Sequence, residues 1–198
     1  MAGKIQPGRL EMPDAEVVFY RDFFSPSESQ RLYDDLLRNV AWKQEIITIM
    51  GSKVPIPRLT AWYGDAGRDY SWSGITQHPL LWTPELLRIK GRVENAAGVI
   101  FNSVLLNLYR DGRDSVAWHS DDEPELGQNP VIASVSFGAT RRFQFKHQQN
   151  ADLRLSIDLT PGSLLLMRGT TQHYWKHQIP KTKTPCGPRI NLTFRIIR

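Results

Sequence analysis

With one cysteine, Cys186, the 198-residue chain cannot close an internal disulfide, which excludes a stapled extracellular scaffold and predicts a reducing compartment. Long apolar runs are missing too. None approaches the ~20 residues of a membrane-spanning helix, so no membrane partner is expected. Met1 leads into a polar stretch through Gly8 without the apolar core of a signal peptide. There is no internal repeat and no low-complexity tract. These absences together predict a soluble, intracellular protein. Acidic residues are in the minority, 20 against 25 Lys and Arg, and the net charge of +5 with a pI near 9.5 favours a polyanionic partner. The cations recur at Arg88, Lys90, Arg92, Arg141, Arg142, Lys146, Lys181 and Lys183. They are scattered, so any basic patch must be assembled by folding.

What is present suffices for one domain that buries roughly 70% of the surface its unfolded chain exposes. Residues 1–15, with Pro7, Gly8 and Pro13, read as a loose lead-in, and 17–20 as a short strand. Ser25-Pro26-Ser27-Glu28 starts a helix, with Ser25 as N-cap and Glu28 closing a capping box; Leu32, Leu36 and Val40 form its apolar stripe. Thr83-Pro84-Glu85 opens a second helix carrying Leu86, Leu87, Val93 and Ala97 and ending near Gly98. Residues 46–57 suggest a hairpin outside the core, 63–67 a turn-rich loop. From residue 100 the chain is strands and turns, with candidates at 100–110, 115–121, 131–138, 141–147, 153–159, 163–168, 173–179 and 189–197. The expected fold is mainly β with flanking helices (α+β), a double-sheet jelly roll or double-stranded β-helix. Residues 100–198 would be its core and 1–99 an N-terminal extension with two helices and nucleotide-recognition hairpins.

His119-Ser120-Asp121 carries the chemistry. In an extended backbone residues i and i+2 share a face, so one imidazole and one carboxylate can grip one metal. With a second histidine from elsewhere this is the facial triad of non-heme Fe(II) oxygenases, which leaves positions open for a cosubstrate and oxygen. His173 and His177, four apart, would share a strand face, and either is available. In Arg189 to Ile196 the residues alternate: Ile190, Leu192, Phe194 and Ile196 on one face, Arg189, Asn191, Thr193 and Arg195 on the other. Alone this reads as an edge strand with one wet face. Beside a metal motif, two arginines roughly 20 Å apart at their α-carbons suit the two ends of a short dicarboxylate, because a guanidinium grips a carboxylate bidentately. Asn107 and Tyr109 share a face of the 100–110 strand and can complete that pocket.

Asn107-Leu108-Tyr109, His119-x-Asp121, Ala133-Ser134-Val135-Ser136-Phe137-Gly138 and Arg189-x-Asn191-Leu192-Thr193-Phe194-Arg195 resemble AlkB-type Fe(II)/2-oxoglutarate dioxygenases, which repair alkylated nucleic-acid bases. The match runs from about residue 42 onward. Residues 63–67 and 121–123 are most similar to the nuclear duplex-repair member and its single-strand-preferring sister, while the short N-terminal segment resembles a bacterial relative. The resemblance implies iron ligands His119, Asp121 and His177, since Trp175-Lys176-His177-Gln178-Ile179-Pro180 fits the family's Trp-x-His-x-apolar-Pro. His173 would be a nearby polar or core residue, and His78 and His147 solvent-facing or structural. Asn107, Tyr109, Arg189, Asn191, Thr193 and Arg195 would hold 2-oxoglutarate, Arg189 on the distal carboxylate and Arg195 near the metal.

By the same resemblance the reaction needs Fe(II), 2-oxoglutarate and O2. It removes methyl groups from bases such as 1-methyladenine and 3-methylcytosine, releasing formaldehyde, succinate and CO2. The partner would be DNA with alkylated bases, single- or double-stranded, with RNA as the other polymer, and the protein a monomer, cytoplasmic in a bacterium or nuclear in a eukaryote. A methylated base is cationic and pairs poorly, so swinging it out of the stack costs less than for a sound base. Trp72, with Tyr70 and Ser71 before it, would stack on the base; Asp122 and Glu123 would face its charge. Met50-Gly51-Ser52 sits where the duplex-repairing member carries an apolar wedge. The rivals are a hydroxylase of the same superfamily acting on a protein side chain or small metabolite, and a non-enzymatic nucleic-acid-binding sandwich.

Overall fold

The computed structural model describes residues 8–49, 51–67, 70–72 and 75–198, excluding the side chains of residues 49, 70–72 and 75–77. In chain order the elements are β1 (Gly8–Leu10), β2 (Glu16–Tyr20), α1 (Pro26–Asn39), β3 (Ile46–Ile49), β4 (Ser52–Pro55), β5 (Leu59–Gly64), β6 (Tyr70–Trp72), β7 (Ile75–Gln77), α2 (Pro84–Ala97), β8 (Ser103–Tyr109), β9 (Val116–His119), β10 (Ile132–Gly138), β11 (Arg141–His147), β12 (Arg154–Leu159), β13 (Ser163–Arg168), α3 (Thr171–Tyr174), β14 (Trp175–Ile179) and β15 (Arg189–Arg195). They build a seven-stranded sheet, β1-β2-β13-β10-β15-β8-β5, facing a four-stranded sheet, β12-β11-β14-β9, with antiparallel pairing throughout. This is the expected mainly-β jelly roll. The pairs β3–β4 and β6–β7 form separate two-stranded hairpins, so the hairpin expected at 46–57 lies outside both sheets.

Both long helices start where their caps sit. Ser25 Oγ accepts from the Glu28 N–H at 3.3 Å and Thr83 Oγ1 from the Leu86 N–H at 3.2 Å, each followed by a proline, which has no N–H and so needs no acceptor. Half of the expected capping box is absent: the Glu28 carboxylate reaches Arg92 Nη1 at 2.6 Å. In α2 the buried stripe is Leu86, Ile89, Val93 and Ala97, whereas Leu87, named with that stripe, is 48% exposed. These stripes pack with Val104, Leu106, Leu108, Val135, Phe137, Leu164, Leu192 and Phe194 on the outer face of the large sheet. A fully buried Leu, Val or Phe contributes roughly 1.5–3 kcal/mol, so this layer is the main hydrophobic anchor. The second cluster fills the space between the sheets with Leu105, Tyr109, Phe143, Phe145, Leu165, Met167, Trp175 and Ile179.

Several boundaries differ from the sequence reading. The lead-in carries β1, and β1, β2 and β5 put three strands from the first 99 residues into the large sheet. The expected loop at 63–67 is strand through Gly64. A Cβ there would sit 2.8 Å from the Asn102 carbonyl, so glycine here serves close strand packing. The strand expected at 173–179 starts at Trp175; residues 171–174 form the helical turn α3, closed by His173 N–H to the Thr170 carbonyl. Above all, β15 is no edge. It lies between β10 and β8 with all seven residues buried, its apolar face against the helices and its polar face turned into the space between the sheets.

Candidate metal centre

The cavity between the sheets has a volume of about 660 Å³. On its small-sheet side, β9 and β14 pair so that His119 stands directly opposite His177, ring centroids 4.3 Å apart. A register shift between His177 and Ile179 bends the pairing there, as bulges do beside sites that aim a side chain. Asp121 follows two residues after the end of β9, and its N–H donates to Gln172 Oε1 at 2.9 Å. His119, Asp121 and His177 each offer one ligand atom, all within 4.8 Å of one another. Two imidazoles and one carboxylate at that separation form a three-point grip on one side of a cation.

Hydrogen bonding orients His119, and the surroundings of His177 and Asp121 favour the protonation states a metal requires. His119 Nδ1 donates to the Ala117 carbonyl at 2.8 Å, which leaves Nε2 as the ring nitrogen available to a metal. His177 is buried between Phe143, stacked at 5.2 Å, and the edge of Phe145. Burial, reinforced by His119 and Arg195 and opposed by Asp121, pushes its pKa down to about 3, so it is neutral. Its Nδ1 is buried with no hydrogen-bond partner, an orphaned polar atom that a cation's coordination sphere would account for. Burial alone would raise the Asp121 pKa, but Arg195, His177 and His119 bring it to about 2; Arg195 Nη2 donates to Asp121 Oδ1 at 2.7 Å.

The polar face of β15 lines the opposite wall. Arg189 is 1% exposed. Its Nη2 donates to Ser136 Oγ at 2.9 Å, and its Nε and Nη1 are buried without an acceptor. Burial lowers its pKa to about 10, with Tyr109 pulling the other way, so the guanidinium stays charged. The Tyr109 ring lies 5.2 Å from it, and Arg141 flanks the same ring at 5.7 Å. Asn191 Nδ2 donates to Ser134 Oγ at 2.8 Å and Asn191 Oδ1 accepts from Thr193 Oγ1 at 3.0 Å, while Asn107 Oδ1 accepts from Arg58 Nε at 2.7 Å. A buried, charged guanidinium with two unused donors suits a carboxylate ligand. Both halves of the site therefore fit the iron and the diacid that the sequence suggests.

The remaining residues named from the sequence divide. Glu123 lines the cavity with Oε2 buried and unpartnered, whereas Asp122 is exposed and absent from the cavity wall. Gly51 and Ser52 are exposed at the β3–β4 turn, away from the wall, though Ile47 of β3 belongs to it. Met50 and the side chains of Tyr70, Ser71 and Trp72 lie outside the described residues. His173 is exposed and its Nε2 meets Asn129 Oδ1 at 2.8 Å. His147 is buried and structural, its Nδ1 accepting from the Gln149 and Asn150 N–H groups; His78 is exposed. Sequence reasoning missed Arg58, which also donates to the Ser115 carbonyl at 3.2 Å, and Gln172. Arg58 follows the Pro55-Ile56-Pro57 break, a weak loop signal; Gln172 had none.

A family model for the 2OG-Fe(II) oxygenase superfamily matches residues 16–195. The chain is 44% identical over 192 residues to mouse (Mus musculus) alpha-ketoglutarate-dependent dioxygenase alkB homolog 3, covering 92% of this chain and 66% of that protein. To mouse DNA oxidative demethylase ALKBH2 it is 39% identical over 188 residues, 90% and 79% of the respective chains. To the Arabidopsis thaliana protein of that name it is 34% identical over 209 residues, 92% and 67%. The chain thus spans a little under two thirds of the length of the alkB homolog 3 relatives. The solved structure of OsALKBH1 superposes with a TM-score of 0.69 at 16% identity, covering 96% of this chain and 100% of that one, a likeness of fold. These relatives are mammalian and plant proteins, so the bacterial source expected from the N-terminal segment finds no support among them.

Proposed function

Because the chain belongs to the 2OG-Fe(II) oxygenase superfamily, in its AlkB branch, we propose that it is an oxidative demethylase of N-alkylated bases in nucleic acid, DNA above all. One observation carries the reading: a His-Asp-His cluster and a buried arginine with unused donors share one cavity, with the unpartnered carboxylate of Glu123 on its wall.

In this reading His119, Asp121 and His177 hold Fe(II). Asn107, Tyr109, Arg189, Asn191, Thr193 and Arg195 hold 2-oxoglutarate, Arg189 taking the distal carboxylate. When bound, iron, 2-oxoglutarate and O2 supply the oxidant that puts one oxygen atom into a C–H bond of the N-methyl group, with succinate and CO2 as coproducts. The resulting N-hydroxymethyl base loses its C–N bond, the carbon leaves as formaldehyde and the nitrogen regains its ring valence.

The chain's own part is placement and charge. Burial keeps His177 neutral, so no proton need leave before it ligates, and the Ala117 carbonyl fixes the His119 tautomer. Arg195 occupies one oxygen of Asp121 and keeps the carboxylate ionised. Phe143, Leu105 and Met167 give the chamber apolar walls that strengthen every charge interaction inside it. Glu123 presents negative charge to a cationic methylated base; a neutral, undamaged base gains less from it. Tyr70, Ser71 and Trp72 are proposed as the stacking surface, Asp122 as a second acidic group, and Met50-Gly51-Ser52 as a wedge at the hairpin tip.

The test is mass spectrometry of oligonucleotides carrying 1-methyladenine or 3-methylcytosine, as DNA and RNA, single- and double-stranded. Loss of the methyl mass with matching formaldehyde and succinate, dependent on Fe(II) and 2-oxoglutarate, is expected. Succinate release driven by a peptide or small metabolite, with every methylated oligonucleotide untouched, would assign the site to a hydroxylase of another substrate.

A further inference from the structure

The outer face of the small sheet carries an arrangement that neither the fold nor the chemistry inside requires. Registers of β12, β11 and β14 place Arg154 directly opposite Lys146, and Lys146 directly opposite Lys176. Phe145 and His177, next along their strands, point inward. The three cations therefore lie side by side on the outside, a row roughly 10 Å across at ordinary strand spacing. Like charges directly opposite one another destabilise a sheet. The next row, Ser156, Gln144 and Gln178, is neutral, and Gln178 Nε2 is spent on Gln144 Oε1 at 2.7 Å. The only carboxylate on the described part of this face, Asp158, stands a row further on, opposite Arg142 and paired with it at 3.3 Å. No ion pair involves Arg154, Lys146 or Lys176 among the described residues.

Protection of an exposed edge explains a cation on β12, which ends the sheet, but not on β11 and β14, which have strands on both sides. The row also leads somewhere. Lys176 immediately precedes His177, which stands opposite His119, and Ser120, the residue after His119, lines the cavity. Trp118, also on the cavity wall, has Lys146 Nζ over its ring at 4.6 Å, which holds that ammonium toward the β9 side.

We infer that Arg154, Lys146 and Lys176 form a track for the phosphodiester backbone of a nucleic-acid strand that runs off the cavity mouth at Ser120. The proposal rests on the function proposed above and adds where the strand beside the target base lies. A polyanion turns the mutual repulsion of three cations into attraction. Such contacts position a strand without reading its sequence.

The experiment compares the intact chain with the triple variant R154Q/K146Q/K176Q. Fluorescence anisotropy with an unmethylated single-stranded oligonucleotide gives the slope of log K against log salt. Demethylation is followed on a methylated trinucleotide and on a methylated 15-mer. The expected result is a slope smaller by about 0.7 for each cation lost. The 15-mer should lose its advantage in kcat/KM while the trinucleotide is unaffected, and the melting temperature should be equal or higher because the repulsion is gone. A 15-mer turned over and bound with the wild-type salt slope by the variant would overturn the track alone. A wild-type chain that repairs no methylated oligonucleotide would overturn the demethylase reading and the track with it.

Discussion

His177 illustrates how much one buried side chain can control. Its imidazole accepts a proton only near pH 3 in the folded chain, against about 6.5 when unfolded. Between those values the unfolded state binds one more proton than the folded state, so stability falls as pH falls through that window. In the metal-free protein the slope from this group approaches about 1.4 kcal/mol per pH unit and is close to that limit by about pH 5. Asp121 acts in the same direction but lower, losing its contribution as pH drops from about 4 toward 2. Denaturant titrations in the presence of a chelator at pH 7, 6 and 5 should show this loss, and His177→Gln, neutral at every pH, should flatten it. An equal pH slope in the variant would place the destabilising proton elsewhere. His119 and Asp121 were legible as a pair because extended backbone puts i and i+2 on one face. Choosing His177 over His173 required a motif, since residue spacing cannot reveal that 171–174 coil into a helical turn. Gln172 was not legible at all: its bond to the Asp121 N–H spans 51 residues of sequence.

At the scale of elements, local rules were readable and partners were not. Ser25-Pro26 and Thr83-Pro84 announce helix starts because a cap is satisfied within four residues. The alternation of β15 was equally plain. Its polar face could belong to an edge strand in water or to a chamber wall, and that depends on β8 and β10, whose pairing no local pattern encodes. Two glycines show the same division. Gly138 ends β10 at φ 79°, and a Cβ there would lie 2.5 Å from the Pro188 carbonyl oxygen and 2.6 Å from the Tyr33 ring. Gly91 lies inside α2 with nothing within 4 Å of an added Cβ. Gly138→Ala should therefore cost more than the ~1–2 kcal/mol of a left-handed L-residue alone, because the turn must also open. Gly91→Ala should stabilise by roughly 0.5–1 kcal/mol through helix propensity. Thermal unfolding of the two variants checks both signs, and a neutral Gly138→Ala would show that the β10–β11 turn has slack.

Taken whole, the molecule is two sheets held apart by polar and charged side chains at the one place where an apolar core would otherwise close. Arg189 is the clearest case: a buried guanidinium with two donors unused is costly in the empty protein and becomes favourable only when a carboxylate arrives. Ligand and fold are then linked, since anything that binds the folded chain alone stabilises it by RT ln(1 + [L]/Kd), about 2.7 kcal/mol at one hundred times Kd. For a domain of this size that raises the melting temperature by roughly 5–11 °C. Under nitrogen, Fe(II) followed by 2-oxoglutarate should give two successive rises in melting temperature. Arg189→Met should melt at the same temperature as the parent or higher when empty, because an apolar side chain replaces an unsatisfied buried cation. It should keep the rise due to iron, whose ligands it does not touch, and lose the rise due to the diacid. A variant that still gains the full second rise would show that 2-oxoglutarate is held by Arg195 and the asparagines alone.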